Sequence, residues 1–478
     1  VLYLNLCYCQ KNNPTLYRMR TAFFFLGYLC LGVISSNCSS TAIQEQEKPN
    51  ILLILADDLG YNDLGFQGSE ELLTPNLDAL AANGVVFTNA YVTASVCSPS
   101  RAGLLTGRYQ QFFGHEANIP PPDSGTDTAQ VTMAELLQSH GYQTGLNGKW
   151  HLGYTYNYQP NSRGFDHFWG FLGGHRSYFP ADYPPENHKA IYTNRTYTPF
   201  KGSYLTDTQA DKAIEFIELA GDDPFFLFLS LAAPHAPMDA LGEDMALFPD
   251  SDRPEYAAMV YAMDRAVGKI VQNLKSTGEL ENTLIVFLSD NGGSPENDSN
   301  NTPLKGFKGN KFEGGLRVPF MVHWPAKIEG GVQFDGLSSS LDLLPTFVAA
   351  AGGEIPDEVP YDGVNLIPFL TSEVDGDPHQ QLFFRKEISA SVRNGDWKLI
   401  RLDDFGYVLY DLAADPYETT DLKEQEPERF NEMKAILEKW EQKTVAPWWN
   451  EQPIWQAVTS DIHEDLMKNQ PIRRTRPN

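Results

Sequence analysis

Three short apolar runs, each broken off by a cluster of polar residues, constrain this chain more than any other feature. Residues 51–56 end in Asp57-Asp58-Leu59-Gly60, residues 225–231 run toward Pro234-His235, and residues 284–288 end in Ser289-Asp290-Asn291-Gly292-Gly293. Runs of this length without apolar/polar alternation are strands buried on both faces, the kind that builds parallel sheets. Helical patterns lie between them, over residues 74–83, 133–140 and 207–219. The alternation predicts an α/β layered domain with a mostly parallel central sheet. In such sheets sites form just beyond the carboxyl ends of the strands, and that is where the polar clusters fall.

Asp57, Asp58, Asp290 and Asn291 supply three carboxylates and one amide oxygen at the ends of two of these strands. Hard oxygen donors suit Ca2+ or Mg2+ better than zinc. Turn capping accounts for one such pair alone; two pairs after core strands favour a metal. The formal charge of −26, from 36 Lys+Arg against 62 Asp+Glu, excludes broad neutralisation of a phosphate backbone, so no nucleic-acid partner is expected. An aromatic content of 12% is too high for a disordered acidic chain.

Of the five cysteines, Cys7, Cys9, Cys30 and Cys38 lie in the first 38 residues. Arg18-Met19-Arg20, the apolar stretch 22–34 and the small polar stretch 35–40 form the pattern of an export signal, too short for the roughly 20 residues of a membrane span. Residues 1–46 are expected to be a leader, and the product exported to the periplasm, the cell surface or the medium. Cys38 directly after the apolar stretch also fits a lipoprotein acylation site, so an outer-membrane lipid anchor through Cys38 and plain secretion both stand. Cys97 is then the one cysteine of the mature body and cannot serve a disulfide within it. Pro99 and Ser100 can open a helix with Cys97 at its N-terminus, where backbone N–H groups favour an anion, and Arg101 adds positive charge one turn on. An activated thiol beside an anion site is the physical reading, against that of a buried inert cysteine.

Cys97-Ser98-Pro99-Ser100-Arg101 followed by Leu104-Leu105-Thr106-Gly107-Arg108 resembles the signature of the type I, formylglycine-dependent sulfatases. Further motifs recur in family order: Asp57-Asp58, Gly148-Lys149-Trp150-His151, Pro234-His235, Asp290-Asn291-Gly292, Lys308 with the stretch 312–319, and the stretches 394–400 and 409–412. The resemblance covers roughly residues 48–445. It implies an alkaline-phosphatase-like large domain and oxidation of Cys97 to formylglycine (3-oxoalanine) by a formylglycine-generating or maturase enzyme before folding is complete. In such enzymes the hydrated aldehyde attacks the sulfur of a sulfate ester, and its second hydroxyl then allows sulfate to be expelled. By position, Asp57, Asp58, Asp290, Asn291 and the modified Cys97 resemble the ligands of one Ca2+. Arg101 would hold the diol, Lys149 and Lys308 would neutralise sulfate oxygens, His151 matches the histidine near the diol, and His235 the one that protonates the leaving oxygen.

Short alternating segments at 388–392, 397–402 and 407–412 predict a small antiparallel sheet, followed by a helix with Phe430, Met433, Leu437 and Trp440 on one face. Residues 47–378 are therefore assigned to a catalytic domain and 379–478 to a C-terminal α+β subdomain and tail. His115, His175, Arg176, Tyr178, Trp448 and Trp449 are candidates for substrate contact, since aromatics stack on sugars and His or Arg grips anionic groups; core and loop packing explains each equally well. The expected substrate is a sulfated carbohydrate, with algal oligosaccharides of ulvan or carrageenan type preferred. The alternatives are a phosphate mono- or diester hydrolase of the same superfamily, disfavoured by Cys97, and a catalytically silent surface glycan-binding protein.

Overall fold

The computed structural model describes residues 48–118, 124–402 and 405–476, so the expected leader with Cys38 lies outside the described residues. Asn50–Ala56 sits inside a ten-stranded sheet, parallel to Phe225–Ser230 on one side and to Thr283–Ser289 on the other. Gln143–Lys149 and His167–Phe171 continue the parallel run beyond Phe225–Ser230. On the far side the sense reverses, with Phe320–His323 antiparallel to Thr283–Ser289. The three expected strands form within a residue of the apolar runs, and burial explains why those runs carry so few polar residues. Successive side chains point to opposite faces, so Leu52 and Ile54 enter one core layer while Ile51, Leu53 and Leu55 enter the other.

Helices Leu205–Ala220 and Pro254–Thr277 cover the first face with Phe216, Ile217, Met259, Met263 and Ile270. Helices Cys97–Thr106, Met133–Ser139 and Leu343–Ala350 cover the second with Leu104, Leu105, Leu137, Leu344 and Phe347. Each fully buried side chain of this size contributes about 1.5–3 kcal/mol, which fixes the layers and therefore the strand ends between them. Among the described residues no helix is long and apolar enough to cross a membrane.

Gln381–Lys386, Ser389–Asn394, Trp397–Leu402 and Gly406–Asp411 form a separate antiparallel sheet in chain order. One of its faces packs Val392, Leu399 and Leu409 against Met433, Leu437 and Trp440 of helix Pro427–Glu441, the stripe expected from spacing. The other face carries Ile400, Leu402 and Val408. It covers Phe312 and is itself covered by Val458, Ile462 and Leu466 of a last helix, Pro453–Met467, which the sequence reading did not identify. Buried Lys398 pairs with Glu313 at 2.8 Å and Glu418 at 2.9 Å, so the small sheet grips the segment that follows Lys308.

Candidate active site

The polar ends of the parallel strands converge. Asp57 N–H donates to the Ala233 carbonyl and Asp290 N–H to the Ala56 carbonyl, each at 3.0 Å, which ties the three strand ends together. In a regular strand Asp57 and Asp58 would face opposite ways. A left-handed turn at Asp58, φ 62°, breaks that alternation, and both carboxylates reach the Cys97 sulfur. Cys97 opens the helix Cys97–Thr106, and its Sγ lies 3.6 Å from Asp57 Oδ1 and 3.8 Å from Asp58 Oδ1.

Each carboxylate has a cation. Lys149 Nζ, at the end of Gln143–Lys149, donates to Asp57 Oδ2 at 2.7 Å, and Lys308 Nζ donates to Asp58 Oδ2 at 2.8 Å. Arg101 reaches Asp290 Oδ2 through Nε at 2.9 Å and Nη2 at 2.8 Å, and its Nη1 donates to Ser230 Oγ at 2.6 Å. His235 Nδ1 bonds the Ala236 carbonyl at 2.6 Å, which leaves Nε2 facing Asp58 Oδ2 at 3.5 Å. His151 is buried, with its ring against Gly174, where a Cβ would come within 2.8 Å of it.

Burial pushes the Cys97 thiol up, but Lys149 and Lys308 outweigh it and hold the thiol below its ordinary value. Burial, reinforced by Asp57, pushes Asp290 up to about 6. For Asp58, Lys308 and His235 overcome burial and hold the carboxyl well below the usual range. Burial, then Lys149 and Arg101, hold His151 well below the ordinary histidine value, so its ring is neutral at neutral pH.

The donor set fits a hard cation. Asp57, Asp58 and Asp290 are buried together. Asn291 donates through Nδ2 to Asp58 Oδ1 at 2.7 Å, while its Oδ1 is buried with no hydrogen-bond partner among the described residues. An orphaned amide oxygen beside three carboxylates is what an oxygen-coordinated ion such as Ca2+ satisfies.

The structure thus gathers Asp57, Asp58, Cys97, Arg101, Lys149, His151, His235, Asp290, Asn291 and Lys308 around one point. The expected substrate contacts divide. His175, with its ring nearly parallel to that of His235 at 6.1 Å, lines a cleft of about 400 Å3 together with His235 and Lys308. Burial and the adjacent Lys189, whose Nζ lies 2.8 Å from His175 Nε2, hold His175 down to about 4. His115, Arg176 and Tyr178 are buried and bond groups inside the protein, although Arg176 Nη2 has no hydrogen-bond partner among the described residues. His115 bonds Ser98 Oγ at 2.8 Å, Arg176 donates to the carbonyls of Ser177 and Lys189, and Tyr178 Oη lies 2.8 Å from the His235 carbonyl. None of the three lines that cleft. Trp449 donates to the Ala117 and Asn118 carbonyls and packs edge-on against His115, while Trp448 is exposed against Gly114; neither lines the cleft. Lys189 and Trp455 were missed because nothing in their local sequence marks them; only the fold brings them here.

With this geometry the chain matches the Sulfatase family over residues 49–353 and the C-terminal region of N-sulphoglucosamine sulphohydrolase over residues 308–445. Human arylsulfatase A is 36% identical over 376 residues, 72% of each chain. An uncharacterized sulfatase of Escherichia coli K12, YdeN, is 33% identical over 406 residues, 73% of this chain and 71% of its own. The crystal structure of Ps i-CgsB in complex with k-i-k-neocarrahexaose superposes with a TM-score of 0.81 at 38% identity, covering 86% of this chain and 96% of that one. The chain belongs to the sulfatase family. It is a sulfuric ester hydrolase with the fold expected from its sequence, a large sheet of mostly parallel strands joined to a small antiparallel one.

Proposed function

We propose that this enzyme releases sulfate from a sulfated carbohydrate, using a formylglycine made from Cys97 and a Ca2+ held by Asp57, Asp58, Asp290 and Asn291. The observation that carries the reading is the Cys97 sulfur lying against two carboxylates that Lys149 and Lys308 also hold. Formylglycine, once hydrated, supplies a hydroxyl nucleophile for sulfur and a second hydroxyl for sulfate release, and Ca2+ supplies positive charge for the sulfate oxygens. Lys149 and Lys308, fixed on Asp57 and Asp58, stand ready for the oxygens that gain charge at the transition state. Arg101, locked on Asp290 and Ser230, keeps its guanidinium beside the nucleophile position. His235 has Nδ1 tied to Ala236, so Nε2 is the nitrogen that can hand a proton to the leaving alcohol oxygen. Neutral His151 is the base for the second step. Cys97 is only 1% exposed, which supports modification by a maturation enzyme before the fold closes.

Oligosaccharides of algal polysaccharides come first as substrates, with the carrageenan type favoured by likeness to a protein solved with neocarrahexaose and the ulvan type second. The chain is proposed to act after export, in the periplasm, at the surface or outside. The test is sulfate release from defined carrageenan and ulvan oligosaccharides by protein made with a formylglycine-generating enzyme. The wild type releases sulfate, Cys97→Ala releases none, and Lys308→Ala is slower by about 10^2 to 10^3-fold. Turnover of a small aryl sulfate with no release from any glycan would contradict the carbohydrate assignment.

A further inference from the structure

The cleft that opens from Lys308, His235 and His175 is not walled by the large sheet alone. Its outer wall is the start of the last helix, Pro453–Met467, with Gln452 and Trp455, and the neighbouring Lys386 and Glu451. The helix buries Val458, Ile462 and Leu466 on the small sheet, so its core-facing positions are filled. Trp455 nevertheless stays 37% exposed, and its side chain has no ring partner or hydrogen bond among the described residues. The charges on this wall are spent on each other, Lys386 with Glu451 at 2.6 Å and Glu296 with Arg476 at 3.6 Å. What this wall offers a ligand is an aromatic face, the amides of Gln452 and Asn450 and the hydroxyl of Thr459. An apolar face edged by uncharged hydrogen-bonding groups matches the C–H face and hydroxyls of a sugar ring, whereas a second sulfate would seek a free cation. At about 400 Å3 the cleft falls within the ~300–1,000 Å3 of small-ligand sites, more than a sulfate group alone requires.

We propose that Trp455, with Gln452, forms a subsite for the sugar ring adjoining the one whose sulfate enters the reaction centre, so that an oligosaccharide is preferred over a lone monosaccharide sulfate. This rests on the carbohydrate sulfatase reading above. The test compares wild type, Trp455→Ala and Trp455→Phe in the full chain, matured to formylglycine. The substrates are a small aryl sulfate and the carrageenan or ulvan oligosaccharide that the wild type turns over fastest. For Trp455→Ala, kcat/KM on the oligosaccharide falls about tenfold through KM, while the aryl ester and the melting temperature are unchanged; Trp455→Phe recovers most of the loss. Equal kcat/KM for wild type and Trp455→Ala on the oligosaccharide overturns the subsite and leaves the sulfatase reading intact. A parallel loss on both substrates also overturns it, as a structural effect. A wild type that desulfates no oligosaccharide removes the underlying reading and the subsite with it.

Discussion

Cys97 occupies a place where a thiol serves no packing purpose. A buried structural cysteine is surrounded by apolar atoms, yet this sulfur faces two carboxylates, with two lysines close enough to override the effect of burial on its ionisation. Each surrounding charge has one close partner of opposite sign, which holds the side chains rigidly where charge will develop. A second buried pair, outside this site, sets a pH dependence of the fold. His379 Nε2 meets Asp342 Oδ1 at 2.6 Å, and although burial works against the charged ring, Asp342 raises the His379 pKa above its ordinary value. The protonated ring is thus favoured more in the folded than in the unfolded chain. That stabilisation is complete below the ordinary histidine value of about 6.5 and is lost as pH rises through the raised one. Urea unfolding of the wild type is therefore expected to show stability falling across that window, and His379→Gln to flatten the fall; parallel pH profiles for the two proteins would contradict the assignment. Ten of the site residues were legible in the sequence because they fall in ordered motifs, most at strand ends or a helix start and Lys308 in a loop. His115, Arg176 and Tyr178 have side chains equally suited to a substrate, and their placement outside the cleft lining leaves no mark on local sequence.

At the scale of elements, strands 50–56, 225–230 and 283–289 announced themselves by being buried on both faces. Gln143–Lys149, which delivers Lys149, did not, because it reads Gln-Thr-Gly-Leu-Asn-Gly-Lys. Thr144 Oγ1 donates to the Gly164 carbonyl at 2.7 Å, while the buried Asn147 Nδ2 has no hydrogen-bond partner among the described residues. Gly148 takes φ +118°, and a Cβ there would lie 1.9 Å from the Ser230 carbonyl oxygen. Glycine is thus the condition for this strand to lie close against Phe225–Ser230 just before Lys149. Gly148→Ala is expected to lower stability by more than about 2 kcal/mol in chemical denaturation and to reduce kcat by displacing Lys149. Unchanged stability and turnover would show that the approach is not tight. The last helix escaped the sequence reading for a different reason: its three core residues, Val458, Ile462 and Leu466, are few, and what they pack against is the outer face of a sheet that only the tertiary structure reveals.

At the scale of the molecule, a net charge of −26 repels an anionic glycan at long range, but solution ions screen that field beyond about 10 Å at 0.1 M salt. Binding therefore depends on the local cluster of Arg101, Lys149 and Lys308, which the fold assembles from a helix, a strand end and a loop. The small sheet takes part in this assembly. Lys398 holds Glu313, Phe312 packs under Ile400 and Val408, and the loop with Lys308 is fixed between the two sheets. The family match that begins at residue 308 and ends at 445 spans this junction, consistent with a C-terminal part that braces the site. Mass spectrometry of the peptide bearing Cys97, from protein made with a formylglycine-generating enzyme, tests the central claim most directly. An aldehyde at Cys97 in the fraction that releases sulfate is the predicted result; an unmodified thiol in fully active protein would contradict it.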